Sequence, residues 1–207
     1  GVVMVDLGGG TTDLAIFLDG SIRHSAVLPI GGQNLTKDLA FVLHTSQTEA
    51  EKIKTQYGVA LTELLTGHQI IEVPSVGDRP ARTFSRRAIA EILEPRVEEM
   101  FELVRREIVR AGYEGILGAG VVITGGTSLL EGMPDAAEKV LNLPARRGIP
   151  SGVGGLRETV GHPSHSTGVG LLLHARRPVG ELETAGRRNG GPWAKMRGWT
   201  KWVSEVF

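Results

Sequence analysis

The sequence has no cysteine, no net charge and no long apolar run, and each gap closes off a class of function. Without cysteine, neither disulfides nor thiolate metal sites are available, which fits a reducing compartment. The 23 basic and 23 acidic residues cancel, so nothing supplies bulk attraction to a polyanion, and no nucleic-acid partner is expected. No apolar stretch approaches the roughly 20 residues that span a bilayer. The chain opens on Gly1-Val2-Val3-Met4-Val5, with no basic region, apolar run and cleavage site, and reads as the C-terminal part of something longer. The patterns GxxxxGK[ST], GxGxxG, HExxH and GxSxG are all missing, so Walker-type, dinucleotide, zinc-protease and nucleophile-elbow chemistry have no foothold. Tryptophan is scarce and lopsided: Trp193, Trp199 and Trp202 all lie within the last fifteen residues.

What is present alternates between strands and helices. Val2 to Val5, Leu14 to Leu18 and Arg23 to Ile30 read as strands, with Asp19-Gly20 as a tight hairpin turn. Gln33 to Leu43 reads as a helix. Thr45 or Ser46 caps the next one, which runs through Glu49, Glu51, Lys52 and Lys54 to a stop at Gly58. Ile70 to Val73 is a short strand, and Pro74 to Arg82 is loop-like. Ala88 to Val109 carries the strongest helical period, with Ile89, Leu93, Val97, Met100, Val104 and Ile108 spaced by three or four. Pro95 interrupts it, as a kink or as a break into two helices. Gly120 to Thr124 is a buried strand, a helix follows near Asp135 to Leu141, and Ser166 to Ala175 reads as a last packed helix. Strand, glycine turn and helix thus occur twice, which favours an α/β domain. Pro178 to Pro192 has little apolar content and reads as a disordered linker.

Two glycine turns carry the chemistry. In Asp6-Leu7-Gly8-Gly9-Gly10-Thr11-Thr12-Asp13 an aspartate ends a strand, bare backbone follows, and two hydroxyls come next. Amides in such a turn form a concavity for anions, and glycine lets phosphate approach without a Cβ in the way. Asp6 suits a hydrated Mg²⁺, while Asp13 is expected to brace the turn. An ordinary hairpin with glycines at its bend explains a lone Gly-Gly-Gly equally well. The second turn is Thr124-Gly125-Gly126-Thr127-Ser128-Leu129. Between the turns, Glu51 and Lys54 share a helix face, a spacing that by itself is most often a solvated surface couple.

The run VDLGGGTTDLA resembles the second phosphate loop of the actin-like ATPase superfamily, and TGGTSL resembles its adenosine loop. Beyond these loops, SIRHSAVLPIGG, AEKIKTQYGVAL, EVPSVGDRPAR, IAEILEPR, VVITGGTSLLEGM and STGVGLL are similar to the bacterial cell-division FtsA family from Val2 to about Leu173. The resemblance implies an α/β, actin/chaperone-type (ribonuclease H-like) ATPase lobe whose N-terminal half is missing. It implies a core over 1–36 and 104–177 and an inserted α/β subdomain over 37–103. It implies ATP with Mg²⁺ as cofactors: Gly8, Gly9, Gly10, Thr11 and Thr12 on the phosphates, Asp6 as the carboxylate that positions metal and attacking water, Gly125, Gly126 and Thr127 against the nucleoside, and Glu51 and Lys54 toward ribose and adenine. Hydrolysis is expected to be slow or incidental. The implied partners are the C-terminal tail of the tubulin-like protein FtsZ, matched here to Arg96 and Glu99 on the inserted subdomain, further copies of the chain in a filament, and other division proteins through the missing half. A sugar or acid kinase, or a chaperone lobe, of the same superfamily is the alternative.

The tail completes the pattern. At helical spacing Trp193, Met196, Trp199, Trp202, Val203, Val206 and Phe207 share one face of 192–207, with Arg197, Lys201 and Glu205 opposite. Tethered beyond the linker (178–191) and rich in tryptophan and bases, this stretch is expected to lie in an anionic membrane surface, and it looks like the family's membrane-targeting amphipathic helix. A kinase has no use for such a tail, and a chaperone should continue into a β-rich domain. The implied location is the cytoplasmic face of the inner membrane at the division site.

Overall fold

The computed structural model describes residues 1–77, 79–152 and 160–176. The linker and the tail, with Trp193, Met196, Trp199, Trp202, Val203, Val206 and Phe207, lie outside the described residues. Strands β1 (Val2–Leu7), β2 (Thr12–Leu18) and β3 (Ser21–Leu28) form an antiparallel meander with its second turn at Asp19-Gly20. Alternation along a strand sends Val3, Val5, Leu7, Leu14 and Ile16 to one face, where all are buried. Strands β6 (Val121–Thr124) and β7 (Ala145–Arg147) run parallel to β1 and complete a five-stranded sheet of order β3-β2-β1-β6-β7. A separate hairpin pairs β4 (Ile70–Val73) with β5 (Arg82–Ser85).

Helix α1 (Gly32–Leu43) buries Leu35, Leu39 and Leu43. Helix α2 (Gln47–Tyr57) starts on Ser46, whose hydroxyl accepts from the Glu49 N–H at 3.2 Å, which selects Ser46 over Thr45 as the cap. The Thr45 hydroxyl instead donates to the Pro74 carbonyl at 2.6 Å. Helix α3 (Arg86–Arg110) is one 25-residue helix with Pro95 inside it. A mid-helix proline costs about 3 kcal/mol. The stripe of Ile89, Leu93, Val97, Met100, Phe101, Val104 and Ile108, each buried, offers about 1.5–3 kcal/mol per large side chain and outweighs that loss. Helix α4 (Met133–Leu141) adds Met133, Ala136 and Ala137 to the same core. The buried residues form one continuous cluster from β1 to α4, and the expected subdomain limits at 37 and 103 fall within α1 and α3, which pack on each other.

Helix α5 (Ser166–Ala175) departs from the expectation of a packed helix. Only Val169 is buried, while Leu171 and Leu172 stand 65% and 73% exposed. The helix is held by the hydroxyls at its first turn rather than by its apolar side chains. Ser166 Oγ lies 2.5 Å from Thr124 Oγ1, and the Thr167 hydroxyl donates to Asp6 Oδ2 at 2.6 Å.

One buried charge pins α3 to the sheet. Glu107 accepts both fork nitrogens of Arg110, at 2.8 and 2.7 Å, and a ring N–H of His24 on β3 at 2.7 Å. The Arg110 hydrogen bonds, then that of His24, hold its carboxyl below the ordinary carboxylate value despite its burial. Because the folded pKa is the lower one, the stabilisation is present above the unfolded value near 4.5 and is lost as pH falls through the folded pKa. Acid unfolding followed by circular dichroism should therefore be shallower for Glu107→Gln than for wild type below about pH 5, and the two should converge at the acid end. Parallel acid limbs would mean that Glu107 is not a linked group.

Candidate nucleotide-binding site

Strands β1 and β6 are neighbours and parallel, so Asp6 and Thr124 are register partners at the same sheet end. Both glycine turns leave from there, at the carboxyl edge where parallel sheets place ligands. The first turn closes with the Gly8 N–H donating to Thr11 O at 3.0 Å. The Thr11 hydroxyl donates to Asp13 Oδ2 at 3.1 Å, which is the bracing expected of Asp13. Thr12 corrects the expectation made for it: it is the first residue of β2, fully buried, and its hydroxyl donates to Ile30 O at 2.8 Å. Strand alternation turns consecutive threonines to opposite faces, so only Thr11 remains with the loop.

The second turn meets the first directly. The Thr127 hydroxyl donates to Gly8 O at 2.9 Å, and the Ser128 hydroxyl closes its own turn on Gly125 O at 2.7 Å. Gly125 has φ +85°, and a Cβ there would stand 2.5 Å from Leu7 O and closer still to Asp6 Oδ1. Its glycine is required by the contact between the two turns. A third glycine pair, Gly31-Gly32, lies between β3 and the body of α1. In the fold the N–H groups of Gly32 and Gln33 donate to Gly8 O and Gly9 O at 2.9 and 2.8 Å. A Cβ on Gly31 would come within 2.6 Å of Gly9 O, and one on Gly32 would collide with Thr127 Oγ1. Three glycine turns from distant parts of the chain are thus fused into one floor.

Above that floor is a cleft of about 820 Å³. It gathers Gly9, Glu51, Lys54, Gly126 and Thr127 from the expected set, with Gly32, Gln33, Thr36, Arg86 and Glu131 that the sequence did not single out. Asp6, Gly8, Gly10, Thr11, Thr12 and Gly125 do not line it. Asp6 sits beside it, held between Thr167 and the Gly125 backbone. At the far wall the Arg86 guanidinium pairs with Glu131 and donates from Nε to Tyr57 O at 3.0 Å. The Glu51–Lys54 pair is not the solvated couple that its spacing alone favours. Lys54 is buried, and its ammonium donates to Glu51 Oε2 at 2.7 Å. Burial pushes the Glu51 carboxyl up, but hydrogen bonds from Lys54 and Thr36 and the Lys54 charge outweigh it, leaving the group below its ordinary value.

The donor set fits a nucleotide. Gly9 and Gly126 line the cleft with bare backbone, no neighbour standing closer than 3.8 Å to where a Cβ would be, Glu51 is an ionised acceptor for hydroxyl donors, and Thr127 is a hydroxyl-bearing lining residue. Among the described residues no group of three or more His, Cys, Asp or Glu could hold a metal ion.

Arg96 and Glu99 do not line the cleft, and their arrangement is richer than an i, i+3 surface pair. Arg96 Nε donates to Asp38 Oδ2 at 2.6 Å and Nη2 to Asp38 Oδ1 at 3.2 Å, while Nη1 pairs with Glu99. The Asp38 hydrogen bond is the leading cause that raises the Arg96 pKa. Arg96 therefore bridges α1 and α3, and Glu99 is the more exposed member.

A family model described as cell division protein FtsA matches residues 3–170. The cell division protein FtsA of Pseudomonas aeruginosa is 52% identical over 174 residues, covering 84% of this chain and 42% of that protein. FtsA of Neisseria meningitidis is 41% identical over 213 residues, covering 100% of this chain and 51% of that protein. The chain spans about half the length of the curated relatives it matches. Among solved structures, MreB5 of Spiroplasma citri superposes with TM-score 0.69 when bound to AMPPNP, at 19% identity over 89% of this chain and 55% of that one. Its ADP-bound form gives 0.65 at 19% identity, over 84% and 52%. The MamK double helical filament gives 0.63 at 18% identity, over 86% and 55%.

Proposed function

We propose a function from one premise: the chain belongs to the FtsA family of cell division proteins, on an actin-like α/β fold. In this reading the chain supplies one lobe of an ATP-binding protein that assembles into filaments and ties FtsZ filaments to the cytoplasmic face of the inner membrane at the division septum. The observation that carries it is the cleft in which Gly9, Gly126, Thr127 and Glu51 converge on a floor of fused glycine turns. The likeness to MreB5 bound to AMPPNP and ADP supports a nucleotide there, and the MamK filament supports self-association. A kinase or chaperone lobe loses its ground once the chain is placed in FtsA.

The residues divide the work by their chemistry. Gly9, Gly10 and Gly126, where nothing stands closer than 3.8 Å to the place of a Cβ, offer phosphate and nucleoside an approach without side-chain obstruction, and Gly8 and Thr11 close the same first turn. Glu51 accepts ribose hydroxyls. Asp6, fixed by the Thr167 hydroxyl, would be the carboxylate that holds a hydrated Mg²⁺ accompanying the nucleotide. An adaptor needs the nucleotide state more than turnover, so slow hydrolysis is in keeping. Half of the phosphate cradle belongs to the other half of the longer relatives, so the full-length protein should bind ATP and this chain alone only weakly.

The test is co-sedimentation of the full-length protein with FtsZ and anionic vesicles, with and without ATP. Recruitment of FtsZ to vesicles only when the protein is present supports the reading, and FtsZ left in the supernatant sinks it. Two substitutions refine the partner surface. Glu99→Lys should weaken FtsZ-tail binding several-fold and leave the melting temperature within about 1 °C, because an exposed pair contributes under about 1 kcal/mol. Arg96→Glu should also cost stability, about 1–3 kcal/mol, since it sets a carboxylate against Asp38. Equal melting loss in both variants would make the pair structural.

A further inference from the structure

Lys54 is the only basic side chain among the described residues that is buried. An ammonium has three protons to donate, and it presents no acceptor. All three are engaged: Glu51 Oε2 at 2.7 Å, Thr36 Oγ1 at 2.9 Å and Gly32 O at 3.0 Å. A desolvated cation held this way gives up a bond only at considerable cost, so it has nothing free to offer a ligand. Glu51 is the reverse case. Its Oε2 takes the bonds from Lys54 and Thr36, while the side chain is 50% exposed at the cleft. That leaves Oε1 as the acceptor of an ionised carboxylate on a half-exposed residue of the cleft wall. Gly32, whose carbonyl Lys54 holds, is the residue whose N–H holds Gly8 O.

We infer that Lys54 is a positioning residue rather than a ligand contact: it locks Glu51 and the Gly31-Gly32 turn to each other, and Glu51 alone reads the ribose hydroxyls. This rests on the nucleotide reading of the cleft and departs from the expectation that both residues reach ribose and adenine. It also makes Lys54 an indirect link between the ribose side and the phosphate turn, since its ammonium holds Glu51 and the Gly32 carbonyl while the Gly32 N–H holds Gly8 O.

The experiment has two arms on the full-length protein. In the first, affinities for ATP and 2′-deoxy-ATP are measured for wild type, Glu51→Gln, Lys54→Met and the double variant. Wild type should prefer ATP by about tenfold, as a charge-assisted hydrogen bond allows. Each single variant should reduce that preference to within about twofold, and the double variant should discriminate no worse than Glu51→Gln. Retention of the wild-type preference by Lys54→Met, or a further multiplicative loss in the double variant, overturns the inference and leaves the nucleotide reading intact. Failure of wild type to bind either nucleotide overturns both. The second arm needs no variant: lysines are reductively methylated with and without ATP and located by mass spectrometry. Lys54 should resist in both states, while the exposed Lys52 is modified. Methylation of Lys54 that ATP blocks would place its ammonium in the ligand's path and overturn the assignment.

Discussion

Gly125→Val should abolish nucleotide binding and cost the full-length protein about 3–5 kcal/mol of stability, read as a fall in melting temperature of about 10 °C or more. The backbone there has φ +85°, a region that a β-branched residue adopts only under strain. The added Cβ would also strike Leu7 O and Asp6 Oδ1, which belong to the strand end that carries the first glycine turn. The collision cannot be relieved by a rotamer, because its partners are backbone and a carboxylate already held by Thr167. Against a total stability of about 5–15 kcal/mol this is a large share. Gly10→Ala is the control, since a Cβ there meets nothing within 4 Å, and it should melt as wild type does. A wild-type melt and wild-type ATP affinity for Gly125→Val would show that the two turns are not in contact.

Trp199→Glu should release the full-length protein from anionic vesicles while leaving its nucleotide affinity unchanged, and removal of residues 192–207 should do the same. The face of Trp193, Met196, Trp199, Trp202, Val203, Val206 and Phe207 would take several hundred Å² of apolar surface out of water. At about 25 cal/mol per Å² that offers several kcal/mol, less the cost of folding the segment on the membrane, which Gly198 raises by up to about 1 kcal/mol. One such tail would be a modest, reversible anchor, and many along a filament would bind far more tightly. A carboxylate in the middle of the face should therefore lower vesicle binding by about a hundredfold or more in the polymer. Flotation of either variant at the wild-type level would assign the apolar face to a protein partner instead.

Much of the local structure is legible in the sequence. Ile70–Val73 is the short strand expected there, the stripe from Ile89 to Ile108 is the buried side of α3, and the cap before α2 is one of the two residues named for it. What escaped was structure that has no local signal. β7 is Ala145-Arg146-Arg147, an edge strand with no apolar alternation, defined by its pairing with β6. β5 became a strand because β4 needed a partner. Pro95 argues for a kink or a break by its own chemistry, and the burial of α3 on both sides of it keeps the helix unbroken.

The sequence by itself determined where the backbone can bend without a Cβ, which faces of its helices are apolar, and which family the chain resembles, because those properties are carried by residue type and spacing of a few positions. Tertiary structure alone decided what each glycine faces. It set Gly32 against Thr127 and Gly125 against Asp6, turned Thr12 inward, gave Arg96 its partner Asp38 at 58 residues' distance, and buried Lys54 under the Gly32 carbonyl. Those contacts join segments far apart along the chain, and no local propensity encodes them. The contacts between the glycine turns exist because β1 and β6 lie side by side in parallel and bring those turns to one end of the sheet, and those of Arg96 and Lys54 because α2 and α3 pack on α1.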